Sequence, residues 1–127
     1  FARGCQDAYQ VSLAMQRKYL VVMERKNSHP KIEDLPLHKG EKETLNLALN
    51  TMSRLVLMDD MVAREHAQAF GLQVKGTLGV IVSAYRVNLL SLDEVQLVVE
   101  TIMKRNDIWI ASGLCRSILS RLNDESK

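Results

Sequence analysis

Residues 54–58 read Arg-Leu-Val-Leu-Met and run straight into two adjacent carboxylates, Asp59 and Asp60. Four successive apolar residues without alternation have the pattern of a strand covered on both faces by helices. The segments on either side are helical. Upstream, Leu45, Ala48, Leu49 and Met52 recur at spacings of three and four, and Glu41, four residues before Leu45, extends that face to the helix's first turn. Downstream, Ala63, His66, Ala67 and Phe70 make a second such face in a helix that begins at the aspartates and ends at Gly71. Strands set between helical patterns in this way predict an α/β layered fold with a central, largely parallel sheet.

The rest of the chain extends the alternation. Residues 5–17 predict an untidy helix, and Tyr19 to Met23, "YLVVM", a short buried strand. Residues 24–40 hold both prolines among many polar residues and predict a loop. "LQV" (72–74) predicts a short strand, "TLGVIVSAYRV" (77–87) a helix despite its β-branched residues, and residues 92–105 a further helix with Leu92, Val95, Val99 and Ile102 in register. "DIWIA" (107–111) reads as a short extended piece. A last helix turns Cys115, Ile118, Leu119 and Leu122 inward, and residues 121–127 are expected to fray. There is no internal repeat and no low-complexity segment.

At 127 residues and 46% apolar content the chain suffices for a single domain. Its net charge of +2 does not by itself announce a nucleic-acid binder, so any anionic ligand must be handled locally. Two thiols, Cys5 and Cys115, in a chain too large to need a disulfide fit a reducing compartment. No apolar run reaches the roughly 20 residues that span a membrane, and no cleavable leader opens the chain. The expectation is a cytoplasmic protein with no membrane partner. Because the first residue is Phe1 and not Met, the chain is expected to have been trimmed, processed or cut from something longer.

The carboxylates carry the functional question. In an open α/β sheet the ligand crevice lies beyond the carboxyl ends of the strands, which is where Asp59 and Asp60 stand. An aspartate there is also a favoured N-cap, accepting a backbone N–H at the positive end of the helix dipole. One cap explains one aspartate; two in succession ask for more. Glu41 opens another helix just after Gly40, and a carboxylate beside the aspartates would be costly unless a cation were shared. Oxygen ligands of this kind suit Mg²⁺ or Mn²⁺. Favourable first-turn charge on a solvated helix explains Glu41 and Glu43 equally.

The combination "GEKETLNLALN" followed by "LVLMDDMVAREHAQAFGLQVKGTLGVIVSAY" resembles the PIN-domain superfamily. The resemblance rests on Gly40 and Glu41, Asp59 and Asp60, Ala63 and Arg64, Gly71 and Leu72, and Gly76 to Val80, in that order, and runs from about Leu37 to the last helix. It implies a PIN-like fold and a Mg²⁺- or Mn²⁺-dependent ribonuclease. In this family such a nuclease is frequently the toxin of a toxin–antitoxin pair, with RNA as substrate, an antitoxin protein as partner and a homodimer as assembly. Glu41, Asp59 and Asp60 then become the catalytic, metal-holding acids, with either aspartate as ligand and the other as cap. PIN domains normally begin with a strand that ends in an aspartate. This chain shows no such strand ahead of "YLVVM", and Asp7 lies in a helical stretch. Either the native protein is longer and the domain here is incomplete at its N-terminus, lacking its first strand, or the first acid is absent and the metal site incomplete.

Secondary candidates each have a plainer reading. Arg64, one helical turn beyond Asp60, either touches a phosphate or forms an ion pair with it. Lys75 and Thr77, in "KGTLG", either receive a phosphate at a helix start or supply an ordinary cap. His66 faces inward, and His29 and His38 lack metal-ligand spacing. No Ser-His-Asp arrangement, CxxC pair or P-loop occurs. Aromatic residues make up 5% of the chain, which argues against a base-stacking surface for single strands. Two classes of function remain: a metal-dependent endoribonuclease, and a catalytically incomplete PIN-like module that binds a protein partner.

Overall fold

A computed structural model describes residues 6–108 and 110–127. In chain order the elements are α1 (Gln6–Gln16), α2 (Pro30–Glu33), α3 (Lys39–Thr51), β1 (Leu55–Leu57), α4 (Met61–Ala69), β2 (Gln73–Lys75), α5 (Thr77–Arg86), α6 (Leu92–Lys104) and α7 (Ser112–Glu125). The sheet has two parallel strands, with Val56 opposite Val74, and α4 makes the crossover between them. This is a single βαβ unit inside a helix-rich α/β fold.

Two groups of buried side chains hold the molecule together. Leu45 and Ala48 of α3, Val56 of β1, and Ala63 and Ala67 of α4 close over Ile32 of α2. Leu78, Ile81 and Val82 of α5 pack against Val95, Val99 and Ile102 of α6 and against Cys115 and Leu122 of α7. The helical spacings therefore pointed to the inward faces of α3, α4, α6 and α7. Met52 is the exception: it leaves α3 in the left-handed conformation as the C-cap and is 87% exposed.

Several expectations need correction. Tyr19 to Met23 form no strand; they are irregular and exposed, Tyr19 at 78% and Val21 at 74%. Their β-forming side chains have no ladder partner among the described residues, and propensity without a partner does not make a strand. β1 is not covered on both faces, because Leu55 and Leu57 are exposed while Val56 is buried. Of the short piece 107–111, Trp109 lies outside the described residues, as does Cys5. The tail does not fray at 121: α7 continues to Glu125, because Leu122 is fully buried. The first helix is where the spacing placed it, but it buries no residue.

The stretch 24–40 is more than a loop. Pro30 starts α2, suiting a first helical position that needs no N–H, and Ile32 enters the core. The approach to α2 is fastened to α3 by two asparagines. Asn46, fully buried, accepts from the His29 N–H at 2.8 Å, and Asn50 accepts from the N–H groups of Lys26 and Asn27. Glu33 gathers Arg25 at 2.6 Å, the Asn46 amide and the Ser28 hydroxyl. The Ser28 and Arg25 hydrogen bonds, in that order, hold its carboxyl at about 2, down from the ordinary 4.5. A carboxylate with a depressed folded pKa stabilises the fold above its unfolded pKa, and that contribution is lost as pH falls through the folded value. Glu33→Gln is thus expected to be less stable than the parent near neutral pH. In urea melts at stepped pH the gap should narrow from about 4.5 downward; a gap independent of pH would contradict this role.

Candidate active site

The two aspartates at the end of β1 turn in different directions. Asp60 is in extended conformation, and its Oδ1 accepts the Ala63 N–H at 2.8 Å, capping α4. Asp59 reaches across to the helix after β2. Its Oδ1 accepts the Thr77 N–H at 2.8 Å and its Oδ2 accepts the Thr77 hydroxyl at 2.6 Å. The N-cap position of α5 is Gly76, which has no side chain to offer, so Asp59 supplies that cap from the neighbouring strand. Both acids are caps, for two different helices.

This bridge depends on the missing side chain at Gly76. A Cβ there would sit 2.7 Å from Asp59 Oδ1 and 2.8 Å from Arg64 Nη1. The position matters for space, since its φ of −92° is open to any residue. The bridge also joins the two packed groups, one side lying at the end of β1 and the other opening α5.

Glu41 is half-buried in the first turn of α3, and its Oε2 accepts the His38 N–H at 2.8 Å in the manner of a capping box. It nevertheless shares one open cavity, about 670 Å³, with Asp59, Asp60, His38 and Thr77. A fourth acid, Asp107, completes that wall. Asp107 is held by Arg105, whose Nε and Nη2 donate to its two oxygens at 2.8 and 2.6 Å; this keeps its carboxyl ionised below the usual range. Arg105 also reaches Asp7 of α1 at 3.1 Å. Sequence reasoning missed Asp107 because it lies in a short irregular connection whose place on the rim no periodicity reveals.

The other candidates divide. Arg64 forms no ion pair with Asp60 among the described residues; its guanidinium lies beside Gly76. Lys75 donates to the Ser83 hydroxyl at 2.8 Å. Thr77 is not the cap of its helix and presents no N–H for a phosphate, since Asp59 has taken it. Arg64 and Lys75 instead line a second cavity, of about 490 Å³, which shares Asp59, Met61 and Ile110 with the acidic one. His29 caps α2 through Nδ1 and meets Phe70 edge-on, with ring centroids 5.7 Å apart; His66 is half-buried.

The donor chemistry of the acidic cavity suits a hard divalent ion. Of the oxygens on Glu41, Asp59 and Asp60, Glu41 Oε1 and Asp60 Oδ2 accept no hydrogen bond among the described residues, whereas both of Asp59's do. No three acidic, histidine or cysteine side chains among those residues come close enough to enclose an ion. Mg²⁺ does not require such enclosure, because it keeps several waters and takes one or two carboxylates together with substrate phosphates.

A family model described as a PIN domain matches residues 2–124, nearly the whole chain. The chain belongs to the PIN-domain family. PIN domains are in general nucleases that bind RNA and typically depend on a divalent metal ion. In this PIN domain the Gly-Glu helix, the strand-end aspartates and the Gly-Thr-Leu-Gly-Val helix converge on one cavity and its neighbour. No curated protein and no solved structure matches the chain. Among the described residues no helix is long and apolar enough to cross a membrane.

Proposed function

We propose that this PIN domain is a Mg²⁺- or Mn²⁺-dependent endoribonuclease, the toxin component of a toxin–antitoxin pair, that works in the cytoplasm. The observation that carries the catalytic reading is the acidic cavity, on which Glu41, Asp59, Asp60 and Asp107 stand together. The toxin role, the antitoxin partner and a homodimer rest on the family resemblance.

Glu41 and Asp60 would hold the ion, since each keeps an oxygen without a hydrogen bond among the described residues. When bound, a divalent ion in such a site lowers the pKa of a coordinated water and polarises the scissile phosphate. The chain's own contribution is positional. The caps fix Asp60 at the start of α4 and Glu41 at the start of α3, so both carboxylates are set before substrate arrives. Asp59 positions the α5 start against the end of β1 and acts through that geometry.

The test is RNA cleavage by the purified protein with Mn²⁺, with Mg²⁺ and with chelator, alongside melting curves in each. Metal-dependent cleavage and a metal-dependent rise in Tm are expected. The second reading, a PIN-like protein-interaction module, is favoured by the absence of an enclosing ligand cluster among the described residues. It predicts a Tm unmoved by Mn²⁺ and no cleavage, and that pair of results would replace the nuclease reading.

A further inference from the structure

The second cavity has the composition of a ligand site and adjoins the acidic one. Leu78, Ile110, Leu114 and Ile118 wall it, and Arg64 and Lys75 are its cations. Its volume of about 490 Å³ falls within the range of small-molecule sites. Both cations are half-buried, and neither is ion-paired among the described residues; the Lys75 ammonium is satisfied only by the neutral Ser83 hydroxyl. Partly desolvated cations against an apolar wall favour an anion, and among the described residues neither forms an ion pair with a carboxylate. Asp59, the one acid among the cavity's described lining residues, has both oxygens committed to Thr77.

We propose that this cavity is a nucleotide subsite: Arg64 and Lys75 take a phosphate, and the apolar wall takes the base of the nucleotide next to the one being cut. The subsite rests on the reading of the acidic cavity as an RNA-cleaving site. Contiguity supports it, because Asp59, Met61 and Ile110 line both cavities, so a strand crossing the acidic rim continues into this one. Charge supports it as well. A polymer that alternates phosphate with a flat, weakly polar ring matches two cations set beside four aliphatic side chains. The wall's described lining residues are aliphatic, so they would hold the base by burial.

The experiment is binding of a nucleoside 5′-monophosphate and of a single-stranded oligoribonucleotide in chelator, by calorimetry and by amide chemical shifts, for the parent, Lys75→Gln, Arg64→Gln and Leu114→Glu. Leu114 is 54% exposed in the first turn of α7, so a glutamate there adds charge to the cavity at a position the fold tolerates. A melting curve confirms that each variant is folded. Lys75→Gln and Arg64→Gln are each expected to weaken binding about tenfold, the effect of one charge-assisted hydrogen bond, and Leu114→Glu to weaken it by setting a negative charge against the phosphate. Each lost cation should also flatten the salt dependence of oligonucleotide binding by about 0.7 in log–log slope. No mononucleotide binding by the parent, or binding that none of the variants alters, overturns the subsite. Binding lost in the variants without any metal-dependent cleavage by the parent leaves a nucleotide-binding cavity and removes the nuclease reading. Cleavage with no variant effect on binding does the reverse. Capture of an acidic peptide in place of nucleotide overturns the subsite.

Discussion

Gly76→Ala is expected to lower stability by about 1–3 kcal/mol, the cost of hydrogen bonds to a charged group, and Tm by roughly 5–10 °C. The new methyl would lie 2.7 Å from Asp59 Oδ1 and 2.8 Å from Arg64 Nη1. The arginine end can swing away, but Asp59 is short and tied by two hydrogen bonds to Thr77. It must leave Thr77 for the methyl to fit, which uncaps α5. Asp59→Ala removes the same bonds directly and should cost a similar amount. The double variant should therefore be little worse than either single one, a strongly non-additive cycle. Melting curves of the four proteins decide the matter. Additive losses would mean that the glycine and the aspartate act separately.

The largest effect on activity is expected at Asp60 and Glu41. Asp60→Asn and Glu41→Gln each keep an oxygen that can accept the capping N–H, of Ala63 and His38 respectively, while removing the negative charge from the cavity. Stability should stay within about 0.5 kcal/mol of the parent. Cleavage of RNA should fall by about 10²-fold or more, the scale of losing an electrostatic group at a reacting centre. Asp59→Asn behaves differently. Its amide oxygen can accept the Thr77 N–H, but its nitrogen must donate to the Thr77 hydroxyl where a charged oxygen had accepted, so this variant should lose stability together with activity. Full activity in both Asp60→Asn and Glu41→Gln would falsify the assignment of these acids to catalysis.

Two adjacent carboxylates at a strand end suggest more than folding, yet folding employs both. Asp60 caps its own helix, a role visible in the sequence because the capped N–H is three residues away. Asp59 caps a helix 18 residues ahead, and nothing in its neighbourhood along the chain announces that partner. The case for function therefore does not rest on a spare aspartate. It rests on the convergence of Glu41, Asp60 and Asp107 around one cavity. The misreading of Tyr19 to Met23 has a related origin. Five residues fit for a strand remain exposed because a strand needs a neighbour, and none is supplied among the described residues.

By itself the sequence determined the helices from α3 to α7 and the buried faces of α3, α4, α6 and α7, since helical periodicity is set by residues three or four apart. It also determined the order of the Gly-Glu, Asp-Asp and Gly-Thr-Leu-Gly-Val segments on which family membership was first read. Only the tertiary structure decided that Asp59 reaches Thr77 over the bare backbone of Gly76, that Arg105 sets Asp107 on the rim, and that the Arg64–Lys75 cavity opens beside the acids. Arg105 and Asp107 are two residues apart, but the place of that pair on the rim, like the reach of Asp59 to Thr77, follows from how the βαβ unit meets the α5–α7 helices, which no local pattern encodes.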